Sequence, residues 1–323
     1  MQQRKIDSSV IDCINNNNKF IVMAHKQPDA DTLCSAIALE SFLSRMGKIT
    51  SLHTAGPFTR IETLHLQEKF SLEPLTEKEK DGAIVVIVDC NSSDRVGFLE
   101  EDIKELPVMI IDHHATDSDY GEYRWVDSTY PATTLMIQDL IFSFNEVPTP
   151  LEAENLFLGF CTDTGFFRHL DKGSELSIEN AATLVKYGAS PKETYSIMTG
   201  GKTLESRKLM GRILERCESH YDGKIIISWE DLSDREELKA EDRDSDTLYQ
   251  ALLSITGVEA IAIVRQESDN KCTVGLRSVK DVDVRKLAET FGGGGHQRAS
   301  GFATEGKLSD IKEELISRFR NYL

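Results

Sequence analysis

No apolar run in this 323-residue chain approaches the ~20 residues that a membrane-spanning helix needs. The first nine residues, Met1 to Ser9, are polar and lack the apolar core of an export signal. Both absences point to a cytoplasmic protein without a membrane partner. No Cys-x-x-Cys pair occurs among the six cysteines, Cys13, Cys34, Cys90, Cys161, Cys217 and Cys272. A zinc ribbon and a disulfide frame are therefore disfavoured, and buried or free thiols in a reducing compartment fit better. Basic residues are scarce, 37 against 54 acidic ones, for a net charge of -17. This argues against long nucleic acid bound through a broad basic surface. A small anionic partner stays compatible, because metal ions and a few arginines can reverse the potential inside one cleft. There is no internal repeat and no low-complexity tract.

The length allows about two domains. From Phe20 to about Asp127, strand-like apolar runs alternate with helical patterns. Phe20–Ala24, Lys48–Thr54, Ala83–Asp89, Val108–Asp112 and Tyr123–Val126 read as strands, and Thr32–Met46 as a helix stopped at Gly47. This alternation implies an α/β fold whose N-terminal part is a parallel, Rossmann-like sheet covered by helices. Further helices are expected from Pro131, over Leu151–Phe160 and over Glu179–Tyr187, with Gly188 as the stop. The stretch 191–217, interrupted at Gly200-Gly201, reads as a helical connector between a domain at 1–190 and a smaller α+β domain at 218–323. In the latter, Lys224–Trp229, Glu259–Arg265 and Cys272–Arg277 are strand candidates, with an amphipathic helix at the C-terminus. The charged stretch Asp231–Asp246 reads as a solvated helix face or loop.

Acidic and imidazole groups collect where the apolar strands end. His25, Asp29 and Asp31 follow the first strand, Asp89 follows Ala83–Val88, and Asp112-His113-His114 closes Val108–Ile111. Asp163 offers a fourth carboxylate after Asn155–Cys161. In open parallel sheets ligands bind at the carboxyl ends of the strands, so one sheet edge can gather these groups. Each also has a plainer reading. Asp31 serves equally as an N-cap, Asp89 as a turn residue, Asp163-Thr164-Gly165 as an Asx turn, and Asp112 and His113 as loop-surface groups. Those readings do not explain why both histidine-bearing segments follow core runs.

Energetics sharpen the choice. Two carboxylates about 4 Å apart repel by roughly 4 kcal/mol at an effective dielectric near 20. Several such pairs would consume much of the ~5–15 kcal/mol that keeps a domain folded. Convergence therefore requires cations. Oxygen-rich ligands with two imidazoles and no thiolate favour Mn²⁺, with Mg²⁺ or Co²⁺ as substitutes. A shared Asp would hold two ions ~3.5–4 Å apart. Asp112 is then free to orient His113 from behind, and His114 to meet a substrate phosphate.

A second feature lies late in the chain. Gly292-Gly293-Gly294-Gly295 runs into His296, after the helix-like Val284–Phe291. A helix cap needs only one glycine. Four of them let backbone N–H groups approach an anion closely.

As a set, His25-Lys26-Gln27-Pro28-Asp29-Ala30-Asp31, Asp89, Asp112-His113-His114 and Asp163 resemble the four motifs of the DHH phosphoesterase superfamily. Gly292–His296 resembles the hallmark loop of the DHH-associated C-terminal domain. The resemblance implies two Mn²⁺ ions. One would be held by His25, Asp29 and Asp89, the other by Asp31, Asp89, His113 and Asp163, with Asp89 bridging. It further implies catalytic roles for Asp89, Asp112 and His114, and substrate binding by His114, Arg277, Ser278, Gly294, Gly295 and His296. Arg95, Arg298, Arg168 and His169 read more readily as solvated or paired surface groups.

The implied activity is hydrolysis of short nucleotides by two-metal-activated water, within the branch that cleaves oligoribonucleotides a few units long, pApA and 3′-phosphoadenosine 5′-phosphate (pAp). Cyclic di-AMP phosphodiesterase, inorganic pyrophosphatase and a non-catalytic nucleotide sensor are the alternatives. The glycine-histidine loop argues against a pyrophosphatase. The intact metal positions argue against a sensor. A homodimer is compatible with such families.

Overall fold

The computed structural model describes residues 6–115, 118–240, 243–279 and 282–322. Residues 1–5 of the polar N-terminal stretch and positions 241 and 242 of the charged stretch lie outside them. The chain divides into two compact units, Met1–Gly201 and Lys202–Leu323. The two helices of the expected connector fall on either side of that division, Pro191–Thr199 in the first unit and Leu204–Glu215 in the second.

Five strands form the sheet of the first unit: β1 (Lys19–Ala24), β2 (Ile49–Thr54), β3 (Ile84–Val88), β4 (Val108–Asp112) and β5 (Tyr123–Val126). They pair in the order β2-β1-β3-β4-β5, parallel throughout. β3 and β4 are buried along their whole length, as strands covered on both faces must be. One face, carrying Phe20, Val22, Val86 and Ile111, packs on helices Ala30–Arg45, Thr133–Ser143 and Pro150–Asp163. The other, carrying Ile21, Val85, Ile87 and Ile110, is closed by Leu75, Val96, Leu99 and Ile103. Since every strand runs the same way, the residues after β1, β3 and β4 emerge on one edge.

Helix packing brings the remaining acid to that edge. A Cβ on Gly159 would stand 2.5 Å from Thr134 Cγ2 and 3.1 Å from the Asp31 Cα. Only glycine lets Pro150–Asp163 press this closely on its neighbours, and so deliver Asp163 from its last turn. No helix among the described residues is long and apolar enough to cross a membrane.

The second unit is a six-stranded mixed sheet, with β6 (Glu218–His220), β7 (Ile225–Glu230), β8 (Ala260–Ser268), β9 (Lys271–Ser278), β10 (Gly294–His296) and β11 (Ala299–Glu305) in the order β10-β11-β9-β8-β7-β6. β7 and β8 are parallel, the other pairs antiparallel. Helices Val284–Glu289 and Leu308–Phe319 cover one face through Leu287, Leu315 and Phe319. On the other face, Leu204–Glu215 and Ser245–Leu253 pack on Ile261 and Ile263 of β8.

The charged stretch Asp231–Asp246 departs from the expected solvated face. Asp234, in helix Leu232–Leu238, is buried and held by Arg212 and Arg216. Arg243 bonds the fully buried Glu230 at 2.7 Å. The basic partners of Asp234 come from around helix Leu204–Glu215, remote in sequence, so a local reading of charge cannot see that these groups are paired.

Candidate active site

His25 follows β1 and is buried. Its Nδ1 lies 2.8 Å from the Lys26 carbonyl, to which it donates, leaving the Nε2 lone pair free. That Nε2 lies 3.9 Å from Asp29 Oδ1 and 3.7 Å from Asp89 Oδ2. His113, just past β4, repeats the arrangement. Its Nδ1 lies 3.2 Å from the Tyr130 carbonyl, and its Nε2 is 3.5 Å from Asp89 Oδ1, 3.4 Å from Asp163 Oδ2 and 4.0 Å from Asp31 Oδ2. The two oxygens of the single Asp89 carboxylate thus face the two imidazoles. Ligand-capable atoms of His25, Asp29 and Asp89, and likewise of Asp31, His113 and Asp163, lie within 4.8 Å of one another.

The carboxylates are fixed by different means. Asp29 caps helix Ala30–Arg45 by accepting the Thr32 amide. Asp31, the residue also readable as that cap, instead reaches across to helix Thr133–Ser143. It accepts the amides of Thr133 and Thr134 at 2.7 and 3.0 Å and the Thr134 hydroxyl at 2.8 Å. Asp89 has left-handed backbone, φ 64°, strained for a residue with a Cβ, and accepts the Thr133 hydroxyl. Thr133 and Thr134 carried no signal in the linear pattern beyond opening a helix.

Electrostatics set the chemistry of the cluster. Burial pushes Asp31 above the usual carboxylate range, with Asp29 adding to the rise. Asp89 is raised well above that range by burial, then by the surrounding Asp31, Asp29, Asp163 and Asp112. Burial, then Asp31 and Asp29, push Asp163 up to about 8. Burial lowers His25, so its imidazole is neutral and able to ligate. Buried acids with raised proton affinity beside two imidazole lone pairs are an arrangement that divalent cations satisfy. The donor set fits such ions, with oxygens and imidazoles and no thiolate.

Asp112 departs from expectation. The sequence places it to orient His113, but that ring is held by the Tyr130 carbonyl. Asp112 Oδ1 instead accepts from His114 Nδ1 at 2.7 Å and from the His114 amide at 3.1 Å. A carboxylate two residues upstream reaches the loop that follows its own strand more readily than the ring tucked back toward β3. His114 is half-exposed, and the Asp112 hydrogen bond raises its pKa. Its Nδ1 also lies 3.8 Å from Asp89 Oδ1, so Asp89, His113 and His114 form a third ligand-capable group. The bond to Asp112 occupies that nitrogen and favours the protonated ring, in which Nε2 carries a proton and His114 is a donor rather than a ligand.

Two arginines stand at this edge. Arg95 Nη2 is 3.5 Å from His25 Nδ1, and exposed Arg60 has Nη2 3.9 Å from Asp29 Oδ2. In the sequence Arg95 reads as a surface group and Arg60 carries no signal. Arg168 and His169 are exposed, with Arg168 Nε folded back onto the Gly165 carbonyl.

In the second unit the glycine run is not a free loop. Gly294–His296 forms β10, hydrogen-bonded to β11. Register places Gly294 opposite Gly301, and Gly301 opposite Gly275 on β9, giving a row of three glycines across adjacent strands. The next row on the same face is His296, Ala299 and Arg277. Together they line an open hollow of about 550 Å³. Gly295 (φ 138°) is required by the hairpin, where a Cβ would stand 2.6 Å from the Ala299 carbonyl. Gly294 has nothing within 4 Å of an added Cβ, so packing within the unit does not demand glycine there. Ser278 does not share the hollow. Strand alternation turns it to the opposite face from Arg277, where its buried hydroxyl donates to the Val282 carbonyl at 2.6 Å. The expected substrate contact of that side chain is therefore dropped.

Residues 19–160 match the DHH family, N-terminal domain, and residues 222–322 match the DHHA1 domain. The chain combines a DHH domain with a DHHA1 domain. Its DHH unit carries the carboxylate and imidazole cluster, and its DHHA1 unit the glycine-floored hollow. It is 29% identical to the bifunctional oligoribonuclease and PAP phosphatase NrnA of Thermus thermophilus, over 94% of this chain and 89% of that one. It is 26% identical to the NrnA of Bacillus subtilis, over 91% and 92% respectively. An exopolyphosphatase-related protein from Bacteroides fragilis has the same fold, with a TM-score of 0.84, 20% identity and 98% of both chains covered.

Proposed function

We propose that this protein is a Mn²⁺-dependent phosphodiesterase that hydrolyses short nucleotides, namely oligoribonucleotides a few units long, pApA and pAp, to mononucleotides. One observation carries the reading: opposite oxygens of Asp89 face the free nitrogens of His25 and His113, each flanked by further carboxylates. In this reading His25, Asp29 and Asp89 hold one ion, and Asp31, His113, Asp163 and Asp89 the other. Mg²⁺ or Co²⁺ would substitute. When bound, such a pair polarises phosphoryl oxygens and makes water a competent nucleophile at neutral pH. The names of the two NrnA relatives support the substrate class.

The chain's own residues do the rest. His114, held by Asp112 through Nδ1 and raised in pKa, offers Nε2–H to a phosphoryl oxygen as negative charge develops there. Arg277, His296 and the bare backbone of Gly294 take up the nucleotide. A net charge of -17 keeps long polyanions away and leaves short ones to local recognition. Buried or partly buried free thiols support a cytoplasmic site of action.

Initial rates with Mn²⁺ on pApA, pAp, five-unit RNA, cyclic di-AMP and pyrophosphate test this. The expected result is turnover of the short linear nucleotides, abolished by chelator and restored by Mn²⁺. Binding without turnover of any of them would make the protein a sensor. Exclusive turnover of pyrophosphate would make it a pyrophosphatase.

A further inference from the structure

We infer that Tyr249 is a positioning residue that holds Arg277 as a flat, preoriented anion-binding shelf over the glycine-floored hollow. The inference rests on the reading of that hollow as the nucleotide site, and it deepens that reading. Tyr249 lies on helix Ser245–Leu253 and is buried against the sheet. The Arg277 guanidinium carbon stands 4.4 Å from the centre of its ring. A cation stacked on an aromatic face is attracted by the ring quadrupole and loses its rotational freedom before any ligand arrives. Among the described residues Arg277 pairs with no carboxylate; besides the ring, its Nη1 donates to the Leu276 carbonyl at 3.0 Å. Among those residues no carboxylate neutralises its charge.

The ring is itself braced. A Cβ on Gly275 would come within 1.8 Å of the Tyr249 hydroxyl oxygen, so the middle strand carries glycine where the tyrosine tip rests. Arg265 Nη1 donates to that hydroxyl at 3.4 Å, and its Nη2 donates to Ser245 Oγ at 3.0 Å. The charge of Arg265 is met by the fully buried Glu230, with Nε 3.4 Å from Oε2. Two arginines thus share one tyrosine. The first is paired from behind with Glu230, which it shares with Arg243, and serves as a strut, while the second meets no carboxylate among the described residues and faces an incoming phosphate. Glu230, Arg265, Tyr249 and Arg277 form a chain from the interior of the unit to the hollow, and a planar guanidinium held this way suits bidentate recognition of a terminal phosphate.

The test is a double-mutant cycle on the full chain with Mn²⁺ and pApA. Tyr249→Leu keeps apolar bulk in the core and removes the ring; Tyr249→Phe keeps the ring and removes the hydroxyl. Tyr249→Leu should raise KM about 10-fold with kcat within about twofold, the cost of fixing a loose arginine on binding. Tyr249→Phe should stay within about twofold of the parent, since the stack is retained. Gly275→Ala, which displaces the ring but also adds a methyl to the hollow, should reproduce the rise in KM, and the part of that rise that disappears in an Arg277→Ala background measures the displaced ring. In an Arg277→Ala background, Tyr249→Leu should add nothing, because the effect runs through Arg277. A further rise in KM in that background, or an unchanged KM in Tyr249→Leu while Arg277→Ala raises it, overturns the positioning role alone. An unchanged KM in Arg277→Ala overturns the hollow as substrate site, and this inference with it. If Tyr249→Leu melts well below the parent, Tyr249→Phe and Gly275→Ala decide by the same readouts.

Discussion

Seven ligand-capable side chains converge at the carboxyl edge of β1, β3 and β4, whereas the hollow of the DHHA1 unit is floored by Gly294, Gly301 and Gly275, which offer none. The first region is made by concentrating charge that the fold alone resists. Burial and mutual repulsion raise Asp31, Asp89 and Asp163 together, and the structure answers with helix-terminal amides and hydroxyls of Thr133 and Thr134. The second region is made by taking side chains away from ordinary antiparallel strands. A region built on opposed charges, if it holds ions as proposed, should tolerate no substitution of the group that faces both imidazoles. A backbone floor needs open space, and its loss should be felt gradually as volume is added.

The sharpest way to break the comparison is to remove the shared ligand. If Asp89 bridges two ions as proposed, Asp89→Ala should lower turnover of pApA by about 10³-fold or more, because both ion positions would lose a donor. Metal bound per chain, measured after desalting, should fall with it. Full activity in the purified variant would end the bridging assignment. The positioning of His114 comes next. Asp112→Asn weakens the bond at His114 Nδ1, and kcat should drop about 10–100-fold, as when other orienting partners are lost. Because Asp112 raises the His114 pKa, the variant should also lose activity at lower pH on its alkaline limb. A pH–rate profile that keeps its alkaline limb unmoved would show that His114 acts unprotonated.

The cost of the charge cluster is measurable without turnover. Asp163 is pushed from 3.8 to about 8 in the folded, metal-free protein, so between those values the folded state binds more protons than the unfolded one. Its contribution to stability is then fully present below about pH 4 and is lost as pH rises toward 8. Metal-free protein should melt several degrees lower at pH 8 than at pH 6, on the order of 5 °C, and Mn²⁺ should remove most of the difference. Asp163→Asn should flatten the dependence in the metal-free form. A metal-free melting temperature that rises between pH 6 and 8 would contradict the raised value.

The two regions also differed in how much a reader of the sequence could see. The five parallel strands, the helix after Asp29 and the convergence of the carboxylates and imidazoles were legible because apolar runs ended in acids and imidazoles, and a parallel sheet sends all such ends to one edge. What that pattern could not show was which group orients which. The Asp112 bond to His114 rather than His113, and the Asp31 contacts with Thr133 and Thr134 some hundred positions away, depend on side-chain direction and helix packing. In the DHHA1 unit the run Gly292–Gly295 was visible, but Gly275 and Gly301 were not, since cross-strand register leaves no local mark. The opposite facing of Arg277 and Ser278 does follow from the period of a strand, and a motif read as adjacent residues obscured it.

The gentlest prediction separates floor from structure. His296→Ala should raise KM about 10-fold with bound metal unchanged, since it removes a polar contact in the hollow. Gly294→Ala should do less, about two- to threefold, in line with one methyl intruding on a binding surface. Its value lies in what it leaves alone. An added Cβ there meets nothing within 4 Å, and the position lacks the positive φ of Gly295, so melting temperature and metal content should stay at parental values. Larger residues at 294 should raise KM in order of volume, whereas Gly295→Ala should destabilise the hairpin directly. An unchanged KM across Ala, Val and Leu at position 294 would mean that the ligand does not lie on β10. The glycine row would then be a device for packing strands rather than for admitting a nucleotide.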